Sequence, residues 1–149
     1  VVLAIVVAVT AGGCASSSMV TMREVPHSPL VERLKLTASG GPQPSERTMQ
    51  FLRVYDLNED LEGDPGELLE KVQAVIDEEP SSENIYVFSE LAFLGAKRVE
   101  ESDPKKAMDL YGASVLYAYR YLFDERFAYL RNPYDPQFRG ACDLYNGAL

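Results

Sequence analysis

The sequence predicts an all-α fold: a small antiparallel helical domain of about five helices, preceded by an extended tether. Three observations predict it. Acid-proline steps recur at Asp64-Pro65, Asp103-Pro104 and Asp135-Pro136, each joining a capping side chain to a residue pre-set for the first helical turn. Between these steps the apolar residues follow the helical period of 3.6. Nothing after Asp56 alternates as a half-buried strand does.

Each element follows from its own punctuation. Ser45 caps a helix through about Asp56, with Met49, Leu52 and Tyr55 on one face. Asp64 caps the next, Pro65 takes its first position and Glu67 completes a capping-box arrangement. Leu68, Leu69, Val72, Val75 and Ile76 then form a buried face that Pro80 ends. Ser82 caps a helix to about Glu101 whose residues from Ile85 to Ala96 are apolar nearly all round, the mark of a central helix. Asp103-Pro104 opens one carrying Ala107, Leu110, Tyr111, Ser114, Leu116, Tyr117, Tyr121 and Leu122. Asp135-Pro136 opens the last, with Phe138, Ala141, Tyr145 and Ala148 at helical spacing. Ahead of them, Pro26 and Pro29 exclude a helix, and Leu30 to Leu36 reads as a short strand or extended docking segment. Ser39-Gly40-Gly41-Pro42-Gln43-Pro44 is a linker. The chain thus divides into 1–13, 14–44 and 45–149.

Charge narrows the partners. The chain has 149 residues, is 46% hydrophobic and 25% charged, and carries a net charge of −9, which fits a globular domain. Such a surface repels phosphate backbones, so nucleic acid is not an expected partner. From Asp56 to Asp103 there are fifteen acids against Lys71, Lys97 and Arg98, the pattern of a solvated helical surface.

Val1 to Val9 is apolar without interruption and leads through Thr10 into Ala11-Gly12-Gly13-Cys14. The run suits the hydrophobic part of an export signal better than a membrane span. With no initiator Met and no basic start, the signal reads as truncated at its beginning. Small residues before Cys14 let the backbone lie extended in a peptidase site. This segment resembles the lipobox of bacterial lipoproteins, although Ala11 stands where a large aliphatic residue is usual. The resemblance implies lipidation at Cys14 and a tether to a membrane facing the periplasm or exterior. Ala15 after the cysteine implies the outer membrane. Ala15-Ser16-Ser17-Ser18 is then a flexible tether.

No catalytic, cofactor or metal residue is assigned. The single histidine, His27, lies in Pro26-His27-Ser28-Pro29, and no G-x-S-x-G elbow exists. Cys142 reads as a structural thiol. Asp56, Asn58, Asp60, Asp64 and Glu67 fall on ligand positions of a calcium loop, but Leu61 replaces its obligatory glycine and Asp64 already has a capping role. The C-terminal half is crowded with Tyr111, Tyr117, Tyr119, Tyr121, Tyr129, Tyr134 and Tyr145, interleaved with Arg120, Arg126, Arg131 and Arg139. That mixture suits ordinary packing or a docking face.

Two further resemblances concern the helical part. Leu91, Leu94-Gly95, Ala107, Tyr111 and Ser114 have the spacing of one tetratricopeptide helical hairpin. Gly41-Pro42-Gln43-Pro44-Ser45-Glu46-Arg47-Thr48, Glu90-Leu91-Ala92-Phe93-Leu94-Gly95-Ala96-Lys97-Arg98, Tyr117-Ala118-Tyr119-Arg120-Tyr121-Leu122-Phe123-Asp124 and Arg131-Asn132-Pro133-Tyr134-Asp135-Pro136 together resemble the N-terminal helical region of large bacterial lipoproteins that continue into an α/β-hydrolase (lipase/esterase-like) domain. That resemblance implies a non-catalytic region whose hydrolase partner lies downstream. The alternative is a stand-alone lipoprotein interaction module.

Overall fold

The computed structural model describes residues 29–36 and 42–149, and these form an all-α domain with no sheet among them. Six α-helices follow in order: α1 Pro29–Arg33, α2 Glu46–Val54, α3 Pro65–Glu78, α4 Ser82–Val99, α5 Pro104–Phe123 and α6 Pro136–Ala148. Two 3-10 turns, Glu59–Glu62 and Glu125–Leu130, link α2 to α3 and α5 to α6.

The caps read from the sequence are in place, with one shift. Ser45 accepts from the Thr48 N–H, Asp64 from Gly66 and Glu67, Asp103 from Lys106 and Asp135 from Gln137. Each satisfies a helix-end N–H that has no intrahelical partner. The α4 cap is Ser81 rather than Ser82, accepting from Asn84. Adjacent serines offer the same hydroxyl, and the one with extended backbone takes the role.

The segment expected to be a short strand or an extended docking segment is helix α1. Pro29 sits at its first position, where a missing N–H costs nothing. Leu30 and Leu34 then fall one turn apart and enter the core, both at most 4% exposed. The packed domain therefore takes in residues ahead of 45. α1 ends with the Leu36 N–H bonded back to the Val31 carbonyl, Lys35 between them at φ 48°. The same closure ends α2, from Leu57 N–H to Leu52, with Asp56 at φ 56°. Glycine normally takes this left-handed position in a Schellman motif, and neither site has one.

α4 is the axis of the molecule. Every residue from Asn84 through Ala96 is buried, as a helix apolar on all faces must be. α5 returns antiparallel along it, the contacts running in reverse order from Tyr86–Tyr121 through Phe88–Tyr117 to Phe93–Tyr111. Midway, the Ser89 and Ser114 hydroxyls each donate to the other residue's carbonyl at 2.9 Å. Small side chains there bring the helices together while leaving no buried hydroxyl without a partner. α3 lies on another side of α4, its Pro65 against Gly95. α6 closes the bundle with Gly140, Ala141 and Leu144 inward; Phe138 and Tyr145 flank that face, half-buried, rather than forming its centre.

Candidate docking face and buried carboxylate

One side of α5 is left without partners among the described residues. Met108, Leu116, Tyr119 and Phe123 are between 51% and 72% exposed, and Gly112 lies open between them with nothing near its Cβ position. Their spacing of three, four or eight residues puts them on one stripe of about 22 Å at 1.5 Å per residue. Tyr119 packs against Phe123 at 4.8 Å and Tyr145 at 6.4 Å between ring centres, so the stripe is continuous rather than scattered. At its start it opens into a groove of about 650 Å³ lined by Met108, Tyr111, Val115 and the α6 end at Ala148 and Leu149. A lone exposed leucine means little, whereas an ordered apolar stripe on a monomer marks an interaction surface.

The tyrosines divide into two groups accordingly. Tyr117 stacks on Phe88 at 3.8 Å, with Arg120 over its ring, and its hydroxyl meets Gln73. Tyr121 sets its ring edge-on to Tyr86, and Tyr111 donates to Glu100 at 2.5 Å. These three hold α5 in the bundle. Tyr119, Tyr129 and Tyr134 point outward, the last two 83% and 94% exposed. Leu116, 55% exposed, belongs to the outer stripe.

A second feature went unread in the sequence. Glu90, on α4, is fully buried and accepts from the Ser45 N–H at 2.6 Å and the Ser45 hydroxyl at 3.0 Å. The neighbouring Thr48 and Tyr86 side chains also favour its charged form. In a capping box a glutamate three residues into the helix reaches back to the cap residue's N–H. Here Thr48 occupies that position, and Glu90 performs the task from another helix. Burial holds the Glu90 carboxyl above the usual carboxylate range, against the opposing pull of these hydrogen bonds. Burial and the neighbouring Glu90 likewise push the Tyr86 phenol far up.

The remaining candidates are placed as follows. Cys14 and His27 lie outside the described residues. Cys142 is a free, half-buried thiol on α6, raised by burial. No group of three potential metal ligands forms among the described residues. Asp60 pairs with Lys71 at 2.6 Å, while Asp64 divides its oxygens between the α3 cap and Lys106. The Lys106 ammonium beside Asp64 holds that carboxyl below its usual range. Among the described residues, no helix is long and apolar enough to cross a membrane.

Searches of family models, curated proteins and solved structures found no match to this chain.

Proposed function

We propose that this chain is the non-catalytic helical region of a membrane-tethered lipoprotein, anchored through Cys14, whose α5 face docks an α/β-hydrolase-type domain. The observation that carries the docking is the uncovered apolar stripe Met108–Leu116–Tyr119–Phe123. The anchor rests on the lipobox resemblance at Ala11–Cys14, and the hydrolase on the segment resemblances that cover most of residues 41–149. An interface of this kind places aromatic and methionine side chains at its centre with tyrosine hydroxyls and arginines toward its rim. Tyr129, Tyr134 and Arg126, which follow α5 in the chain, are exposed.

A photo-crosslinking residue at Leu116, in the native protein in its envelope, tests the reading. We expect a crosslink into an α/β-hydrolase-type domain and none from a control at Glu70, which is exposed on α3. A crosslink to an unrelated protein, or none from Leu116, would contradict it. Fatty-acid labelling that Cys14→Ser abolishes tests the anchor; labelling that survives the substitution overturns it.

A second reading, a stand-alone interaction module, draws on the α4–α5 pair. The Ser89–Ser114 crossing has the small-residue contact of a tetratricopeptide-like hairpin. A single hairpin cannot bury its own face and leaves a surface for a partner. The unrelated crosslinked protein above would favour this reading.

A further inference from the structure

The groove at the start of the α5 stripe is apolar, and the chain itself enters the domain beside it. Met108, Tyr111, Gly112 and Val115 form one wall, Ala148 and Leu149 the other. From Pro104 to Val115 the groove follows about 16 Å of α5, at 1.5 Å per residue. α1 brings the preceding residues to its mouth. Leu30 packs 3.2 Å from the Cβ position of Gly147, and Arg33 lies beside Gly140. α1 therefore runs antiparallel to α6, with its first residue at the α6 C-terminal end. Ala148 and Leu149, which follow Gly147, are where the groove begins. Tyr145 contacts Tyr119, so α6 is antiparallel to α5 as well, and the groove leads from Val115 back toward Pro104.

Residues 15–28 lie outside the described residues, and their sequence matches this groove. Met19, Met22 and Val25 recur at every third position. That spacing puts three side chains on one side of a chain with three residues per turn, the period of polyproline II. Pro26 and Pro29 bias the residues before them toward such extended backbone. At about 3.1 Å per residue, Met19 to Val25 covers about 19 Å, close to the groove's length. Val25 is four steps from Pro29, a reach of about 13 Å.

We propose that the groove is a docking site for the chain's own segment Met19–Val25, with Met19, Met22 and Val25 against Met108, Tyr111, Val115 and Ala148. Methionine fills irregular apolar gaps, and covalent connection through α1 holds the segment at high effective concentration over the groove. The segment covers Met108 and leaves Leu116, Tyr119 and Phe123 open, so the proposal is independent of what docks farther along α5. With Cys14 lipidated, seating leaves only Ala15–Ser18, about 14 Å at most, between anchor and domain. The Pro104 end of α5 is then held toward the membrane.

Disulfide trapping on the full chain, in a Cys14→Ser, Cys142→Ser background, tests it. Gly112→Cys puts a thiol where a Cβ meets open space, and it is paired with Met22→Cys. In the control, Glu70→Cys, exposed on α3, takes the place of Gly112→Cys. We expect Met22→Cys to close onto Gly112→Cys within single chains, independently of protein concentration and at least about tenfold faster than onto Glu70→Cys. Adding Met19→Asp and Val25→Asp should slow that closure by about tenfold or more through lost apolar burial. A cooperative circular-dichroism melt verifies that this variant folds. Equal rates onto the two positions, disulfides formed only between chains, or closure untouched by the two aspartates would each overturn the proposal. Faster closure from Ile5→Cys than from Met22→Cys would overturn it too, by giving the groove to the Val1–Val9 run.

Discussion

Glu90 is a carboxylate at the centre of an apolar helix, and its position has a pH signature. Its folded-state pKa is raised by burial, so its contribution to stability is fully present below the unfolded pKa of about 4.3 and is lost as pH rises through the folded value. Glu90→Gln keeps acceptor capacity for Ser45 and removes the ionisation. Denaturant unfolding at several pH values should show wild type losing stability relative to this variant as pH rises from about 4.3. A difference that does not vary with pH would contradict the burial argument. Lys35→Gly makes a separate test: relief of the left-handed backbone should stabilise the domain by about 1 kcal/mol, read as a higher denaturation midpoint. Neither residue was legible in the sequence. The partner of Glu90 lies forty-five positions away, whereas the caps at Asp64, Asp103 and Asp135 bond within three residues and are visible locally.

At the level of elements, two glycines in helix interiors make opposite predictions. Replacing a mid-helix glycine by alanine gains about 0.8–1.0 kcal/mol of helix propensity. At Gly112 a Cβ meets open space, so Gly112→Ala should raise stability by about that amount. At Gly95 it would stand 2.7 Å from the Pro65 Cβ, and overpacking costs about 1–3 kcal/mol. Pro65 is rigid and buried at the first turn of α3, so the clash outweighs the propensity and Gly95→Ala should destabilise. Thermal melts of both variants distinguish the cases, and a stabilised Gly95→Ala would show that α3 gives way freely. The helices themselves were readable because their start signals and periods agree. α1 was not, since Pro29 reads equally as helix breaker and first helical residue, and only the burial of Leu30 and Leu34 decides between them. The sequence does not say which face of α5 Leu116 takes, because apolar periodicity does not distinguish a core stripe from a docking stripe on the same helix.

At the scale of the whole molecule, a proposed lipid anchor at Cys14 precedes an acidic all-α domain in which the outer side of α5 is open among the described residues. The central claim is that this side is covered in the native envelope. The rate at which a soluble thiol reagent modifies Leu116→Cys, in a Cys142→Ser background, measures this directly. In the purified chain, with Cys14→Ser added to keep it unlipidated, position 116 should react at the rate of an exposed thiol. In the native envelope the same position should be protected by at least about tenfold, while a cysteine at Glu70 reacts equally in both. Equal rates at position 116 in the two settings would contradict the claim.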